Sequence, residues 1–404
     1  MKKYLLLALP LVLAACSSKP GKETATAENA TFKGQLKNSK GDTLYLVNIS
    51  QGQPDPIDTA VADAQGVFYF TRPVPGVGYY NLEINGQNLV TLILDSTERY
   101  EFTADAANLA NTYEVKGSDE NKRFKEFNEY AAAFHKKKTA MIDELKQIQS
   151  DYSMQAMAHQ NDPAVMQQME KEVEGKFNAI QEKAMKLDEE ARAYLRKFIT
   201  DKPASMANIP ALYLTSEPQA RQLLLDEYDN FNYFDTTAKA LKQKYPNAPN
   251  VQLLAAQVEK IRPLASGALA PDITLNDPGG KPMSLSSLRG RVVLLDFWAS
   301  WCAPCRSEMP NVVAAYKKYK SKGFEVFSVS LDADKSRWVE AIRSDGMTWP
   351  YHVSDLRQWQ SSVVPLYDIK GIPLTFLLDK DGKIIARGLR GIALEQKLKE
   401  IFGG

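Results

Sequence analysis

Val293-Leu294-Leu295-Asp296-Phe297-Trp298-Ala299-Ser300-Trp301-Cys302-Ala303-Pro304-Cys305 decides the reading of this chain. From Val292 to Phe297 the residues are apolar apart from Asp296, which reads as a buried strand. A turn then delivers Cys302 and Cys305, and a helix follows that carries Arg306, Glu308 and Met309. Two cysteines three residues apart at a helix start lie one turn apart on one face. Their sulfurs can close a small disulfide ring without moving the helix. Cys302 faces the unpaired N–H groups and the positive dipole end of that helix. Both favour the thiolate, the reactive form of the side chain. Cys302 is therefore expected to attack, and Cys305, one turn in and more buried, to resolve the mixed disulfide. Pro304 suits the first turn, where its missing N–H is no loss.

Three further features sharpen this thiol–disulfide reading. Asp296 is costly in an apolar strand unless it has a partner or a task. Burial raises the pKa of such a carboxyl, so it can exchange a proton with Cys305; a plain salt bridge is the competing reading. Trp298 and Trp301 are expected to pack beside the thiols and limit water. Far downstream, Gly371-Ile372-Pro373-Leu374-Thr375-Phe376 reads as a strand entered through proline. Two other uses of the thiol pair are weighed against this one. A zinc site needs four ligands, and only His135, His159 and His352 are available to join the two thiols. None has zinc-site spacing, so no metal and no cofactor is expected. A purely structural disulfide is the other, but so short a loop constrains little chain entropy.

From about Ala270 to Phe402, about a third of the chain, the sequence resembles a thioredoxin-fold domain of the envelope-anchored TlpA/ResA type. The residues that carry the resemblance are Ala270-Pro271-Asp272 before the first strand, Asp296 to Cys305, Glu308-Met309-Pro310 in the helix, and Gly371 to Phe376 before a final hairpin. In that family the proline matching Pro373 is cis and sits against the cysteines. The resemblance implies a thiol:disulfide oxidoreductase that reduces protein disulfides. Cys302, Cys305, Asp296 and Pro373 would be catalytic, while Trp301 and Ile372 would bind substrate. Some family members prepare apocytochrome c thiols or metal-site thiols. Their oxidised form is recharged by a membrane thiol-transfer protein, so that donor and disulfide-bearing substrate proteins are the partners implied.

The rest of the chain reads as support. Its 404 residues allow two or three domains, and its net charge of +1 gives no sign of nucleic acid binding or a polybasic membrane patch. Lys2 and Lys3 precede an apolar run from Tyr4 to Leu13, too short to span a bilayer. Leu13-Ala14-Ala15-Cys16 resembles a bacterial lipoprotein cleavage box. This implies lipidation at Cys16 and a lipid-anchored protein of the cell envelope facing the periplasm; an ordinary secretory signal with a chance cysteine is the competing reading. With Cys16 given to lipid, the chain's three cysteines leave one pair free to cycle.

The expected fold is multidomain: an N-terminal antiparallel β domain, a central α-helical region and a C-terminal α/β thioredoxin fold. The boundaries are 1–16 for the signal peptide and Cys16, 17–30 for a flexible tether, 31–117 for the β-rich domain, 118–266 for the helical region and 267–404 for the thioredoxin-like domain. The β-rich part shows seven short alternating segments and resembles the β domain of unknown function that precedes thioredoxin domains in envelope lipoproteins. Its aromatics Phe68, Tyr69, Phe70, Tyr79 and Tyr80 are read as core, against a ligand face as the alternative. In the helical region two apolar stripes flank Asn161-Asp162-Pro163 and predict a hairpin, with Lys138 filling one seam position. That hairpin is either packed on itself or a dimerisation arm. Shorter helices are expected near Leu212 and over Ala220–Tyr228, Thr236–Lys244 and Val251–Ile261, then a linker at Pro263–Gly267. Trp349-Pro350-Tyr351-His352 is expected on a loop before a helix, with His352 structural. Two other functional classes remain: a binding or scaffold lipoprotein whose N-terminal domains carry the main role, and a disulfide isomerase.

Overall fold

The computed structural model describes residues 31–50 and 52–403. The expected signal peptide, Cys16 and the expected tether lie outside the described residues. Among those described, no helix is long and apolar enough to cross a membrane. The chain divides into two compact units, the first ending at Ser118 and the second running from Asp119 to Gly404.

The first unit runs β1 Phe32–Lys37, β2 Thr43–Asn48, β3 Asp55–Val61, β4 Val67–Phe70, β5 Gly78–Ile84, β6 Asn88–Leu94, β7 Tyr100–Asp105, a short helix α1 Leu109–Thr112, and β8 Glu114–Lys116. They form two four-stranded sheets, ordered β4-β1-β7-β8 and β3-β2-β5-β6. Strict alternation in β1 puts Phe32, Gly34 and Leu36 inside, which is the period of a sheet with one buried face. Phe68, Phe70, Tyr79 and Tyr80 are buried and make core, while Tyr69, on the other face of β4, is half-buried. Gly34 is needed there, because a Cβ would stand 1.9 Å from the Phe68 ring. Two features differ from the sequence reading. β3 is a strand that reading missed: Pro56 and two aspartates hide a segment in which only Ile57 and Ala60 are buried, and an edge strand tolerates such a pattern. The β1–β7 pairing is parallel, since β2 to β6 intervene as a long crossover.

The second unit begins with the hairpin of α2 Asp119–His159 and α3 Pro163–Asp201. Asp162 caps α3 by accepting from the Ala164 and Val165 N–H groups at 3.2 Å each, and Pro163 opens the first turn. Along the seam, Phe124, Phe127 and Phe134 of α2 and Ile180, Ala191 and Phe198 of α3 are buried. The cation among them, Lys138, is buried and pairs with Asp188 at 3.0 Å. Removing one partner of a buried pair strands the other charge. Because Asp188 keeps some solvent exposure, Lys138→Met is expected to cost about 1–3 kcal/mol. Lys138→Met with Asp188→Leu should recover most of it. Thermal melts of the two variants check this; equal melting points for both mean the pair contributes little.

The hairpin leads to α4 Asn208–Leu212, α5 Phe231–Lys244 and α6 Pro249–Ile261. Residues 220–228, expected as a helix, are irregular: Leu223 makes an isolated bridge to Thr215, and Leu224 and Leu225 are buried as loop. Asp226 accepts from the Tyr228 and Asp229 N–H groups, a local turn that competes with helix. The expected linker is packed. Leu264 and Ala265 are buried, and the Gly267 N–H donates to the Ile384 carbonyl at 2.7 Å.

The remaining elements are β9 Thr274–Asn276, β10 Pro282–Ser284, β11 Val292–Trp298, α7 Ala303–Tyr319, β12 Phe324–Ser330, α8 Lys335–Ser344, β13 Tyr351–Val353, α9 Val363–Leu366, β14 Leu374–Leu378, β15 Ile384–Arg387 and α10 Gly391–Phe402. Five strands form a mixed sheet ordered β13-β12-β11-β14-β15, parallel from β11 to β13 and antiparallel at β14 and β15. Every residue of β11 and β12 is buried, as expected of central strands covered on both faces. This is the thioredoxin architecture. Tyr351–Val353 corrects the expected loop: it is a strand paired with β12, and His352 is buried and stacked on Trp349 with ring centroids 5.4 Å apart. Three residues preceded by Pro350 are too few to show a period.

A charged cluster joins the helical part of this unit to the sheet. Asp368 accepts from the Tyr228 hydroxyl at 3.2 Å and pairs with Lys260 at 2.9 Å and Lys370 at 3.2 Å. The Arg387 guanidinium lies 3.9 Å over the Tyr228 ring. Asp368 precedes Pro373 in the same connecting segment, so these contacts brace the backbone that carries Ile372 and Pro373.

Candidate active site

β11 ends at Trp298, and the chain turns so that Cys302 becomes the N-cap of α7. A buried carboxylate fixes that turn. Asp332 Oδ2 accepts from the Ser300 N–H at 3.0 Å and from the Ser330 hydroxyl at 2.7 Å, and its Oδ1 accepts from the Ser300 hydroxyl at 2.6 Å. Arg306, one turn into α7, donates to the Ser300 carbonyl and forms a bidentate pair with Asp345. Residues 300–306 are thereby held from both sides.

Cys302 and Cys305 form a disulfide with Cα atoms 5.3 Å apart. Cys302 Sγ accepts from the Cys305 N–H at 3.2 Å, the capping contact expected of a helix start. Pro304 lies in the first turn of α7. The Ile372–Pro373 peptide is cis, and the Ile372 carbonyl oxygen stands 3.8 Å from Cys302 Sγ. Cys302 is 5% exposed and Cys305 1%, so Cys302 is the sulfur nearer to solvent.

Asp296 is buried in the middle of the sheet, with Ser328 of β12 and Thr375 of β14 as its register partners. Burial pushes its carboxyl up to about 7, against the lowering effect of the Ser328 hydroxyl; the Glu308 carboxylate adds to the rise and Arg390 opposes it. Ser328 Oγ lies 3.4 Å from Asp296 Oδ2 and itself accepts from Trp349 Nε1 at 3.0 Å. The Ser328 hydroxyl accepts from the indole and keeps its own proton to donate to the carboxylate. A carboxyl poised near neutral pH is suited to giving and taking a proton.

Trp298 is fully buried at the end of β11. Trp301 is not: it is 48% exposed, and its Nε1 donates to the Leu331 carbonyl at 3.3 Å, which fixes the ring at the surface.

The Redoxin family profile matches residues 265–398, and a domain of unknown function (DUF4369) matches residues 30–124. The thiol-disulfide oxidoreductase ResA of Bacillus subtilis (strain 168) is 35% identical over 122 residues, covering 30% of this chain and 66% of that protein. The protein of the same name from Bacillus thuringiensis subsp. konkukian (strain 97-27) is 31% identical over 134 residues, covering 33% of this chain and 75% of its own length. The chain belongs to the ResA-type thiol-disulfide oxidoreductases. A solved thioredoxin domain of a thiol-disulfide oxidoreductase from Bacteroides vulgatus is 36% identical, covers 34% of this chain and 99% of its own, and has a TM-score of 0.33.

The ResA-type match accounts for the last third of the chain. The chain spans about two thirds of the length of the first ResA proteins it matches. Within the ResA-type domain the structure brings Cys302, Cys305, Ile372 and Pro373 together at one end of the sheet and places Asp296 in the strand that leads there. Sequence reasoning missed three groups around them. Ser328 reaches Asp296 from β12, and Trp349, in the segment before β13, holds Ser328. Glu308 had been noted only as part of the helix, yet its Oε1 accepts from the Gly391 N–H at 2.6 Å and its charge acts on Asp296. Asp332 anchors the turn before the thiols. A signal existed for Ser328 and Ser330: both are polar and two residues apart, in a strand whose other residues are apolar except Glu325.

Proposed function

We propose that this chain reduces disulfides of other proteins through its Cys302–Cys305 pair. In the dithiol state the Cys302 thiolate attacks one sulfur of a substrate disulfide. An enzyme–substrate disulfide forms and one substrate thiol leaves, taking up a proton. Cys305 loses its proton to Asp296 and attacks Cys302. The second substrate thiol leaves, and two electrons have passed from enzyme to substrate. The observation that carries this reading is the disulfide itself: it caps α7, touches the Ile372–Pro373 segment and sits at the end of the strand that buries Asp296. Pro373, Ile372 and Trp301 are assigned to holding the substrate backbone.

The setting follows from the N-terminal residues read above. A lipid on Cys16 would tether the chain to a bacterial membrane, facing the periplasm. There the spent disulfide would be recharged by a membrane thiol-transfer protein. Thiols that later bind haem or a metal are the substrate class this suggests.

A redox titration of the full-length chain against dithiothreitol or glutathione, read by Trp298 and Trp301 fluorescence, tests the direction. A two-electron transition near roughly −270 mV, as in thioredoxin, is the expected result. A transition near roughly −120 mV makes the chain a disulfide donor and overturns the reductive assignment.

A further inference from the structure

The surface beside the reactive sulfur carries an unexpected pair of side chains. Trp301 and Trp359 are 48% and 45% exposed, with ring centroids 6.3 Å apart and planes inclined by 53°. Large aromatic rings are rarely left this open without a use, since covering them with apolar surface is favourable. Trp301 immediately precedes Cys302. Trp359 comes from the connection between β13 and α9, and that connection is held in an unusual shape. Leu356 and Gln358 both have positive φ, 57° and 50°, which side chains with a Cβ seldom adopt. Asp355 keeps it there, accepting from the Arg357 N–H at 3.1 Å and the Ser361 hydroxyl at 2.8 Å, while Ser354 Oγ accepts from the Leu356 N–H at 3.0 Å. Backbone held in such a region by its surroundings is typical of ligand-contacting loops. Trp301 is held too, through its indole N–H on Leu331.

We infer that Trp301 and Trp359 form a preorganised aromatic clamp that selects polypeptide substrates carrying a large apolar side chain close to the reacting cysteine. This rests on the disulfide-exchange reading and adds to it a specificity residue, Trp359, which no motif of the sequence marks. The occupant follows from the chemistry at Cys302. Cys302 as a residue is only 5% exposed, so a substrate sulfur can reach it only if the substrate backbone lies against the surrounding surface. One side of that surface is the Ile372–Pro373 segment, whose carbonyl faces Cys302 Sγ. Trp301 is the next residue in the chain to Cys302. An extended polypeptide advances about 3.3 Å per residue, so side chains two or three positions from the substrate cysteine, roughly 7–10 Å along the backbone, fall on the surface around Cys302 to which Trp301 and its neighbour Trp359 belong. A bare small-molecule disulfide has nothing to place there.

The test uses the full-length chain in its dithiol form and two peptides, each joined to glutathione through a disulfide and differing in one residue. One has Leu two positions before its cysteine, the other Ser. Reduction of each releases peptide thiol and glutathione and leaves the enzyme oxidised, and the second-order rate constants are compared as a ratio. Wild type is expected to prefer the Leu peptide about tenfold, from partial burial of one large side chain. In Trp359→Ala the ratio falls toward one, and in Trp359→Phe most of it survives. The ratio cancels any general loss of activity. A wild-type ratio near one, or an unchanged ratio in Trp359→Ala, overturns the clamp while leaving the redox reading intact. A wild type that reduces neither peptide overturns the redox reading and the clamp together. Should Trp359→Ala fail to fold by circular dichroism, the comparison of Trp359→Phe with Trp359→Gln decides in the same way. Light scattering that shows a wild-type dimer broken by Trp359→Gln assigns the indoles to a second copy of this chain and also overturns the clamp.

Discussion

Cys302→Ser reduces no protein disulfide above background, a loss of about 10³-fold or more, while Cys305→Ser accumulates a covalent complex with its substrate. The asymmetry follows from position. Cys302 is the N-cap of α7 and the more exposed of the two sulfurs, so it is the one that meets the substrate and whose thiolate the helix end stabilises. A serine hydroxyl is not ionised at neutral pH and does not replace it. Cys305 lies one turn deeper, and its task is to release the mixed disulfide. Without it the first step still runs and the second cannot. A thiol-coupled turnover assay reads the first variant, and a non-reducing gel with a disulfide-bearing protein reads the second. Mixed disulfide in Cys302→Ser and none in Cys305→Ser would reverse the assignment of the two sulfurs. Full activity of Cys302→Ser would remove the thiol pair from the function.

Asp296→Asn is expected to stabilise the protein at pH 8 and to slow exchange at pH 7. In the folded chain burial raises the Asp296 carboxyl to about 7, whereas in the unfolded chain it returns to the ordinary value of 3.8. The folded state therefore binds the proton more tightly. The stability that comes with that proton is fully present below pH 4 and is lost as pH rises from about 4 through about 7. A difference of about three pKa units corresponds to roughly 4 kcal/mol at most. Asparagine carries no charge to bury, so the variant escapes this loss at pH 8 and gains almost nothing at pH 4. Melting curves at the two pH values check the sign: equal shifts at both mean that Asp296 does not titrate in this window. Activity should move the other way. With no base to take the Cys305 proton, exchange at pH 7 falls by about 10²-fold, and the inflection near pH 7 in the rate profile disappears. A variant that keeps that inflection assigns it to another group.

The redox domain was legible in the sequence for a physical reason. Cys302, Pro304 and Cys305 act through spacing within a single helical turn, and the buried strand before them shows as an unbroken apolar run. The Asp162 cap and the two stripes of the α2–α3 hairpin were readable on the same ground, since caps and helical periods are local. The misses share a cause. β3 and β13 are edge strands, half covered or only three residues long, and show no clean alternation. The run from Ala220 to Tyr228 has helical composition, but Leu223 finds a partner in Thr215 and the turn at Asp226 prevails. The segment at Pro263–Gly267 has the composition of a linker and is packed because the helical part and the sheet share one core, through Tyr228, Ile261 and Leu264.

The sequence by itself determined the thiol pair at a helix start and the carboxyl in the neighbouring strand, because each is written in contacts between residues a few positions apart, and the resemblance to TlpA/ResA-type domains implied the thioredoxin architecture. Only the tertiary structure decided what tunes and surrounds them. Ser328 reaches Asp296 across 32 positions, and Tyr228 reaches Asp368 across 140. Trp359 comes beside Trp301 through a loop whose shape depends on Asp355 and Ser354. Those pairings depend on how distant strands and loops are packed into one sheet, and no period or spacing along the chain encodes them.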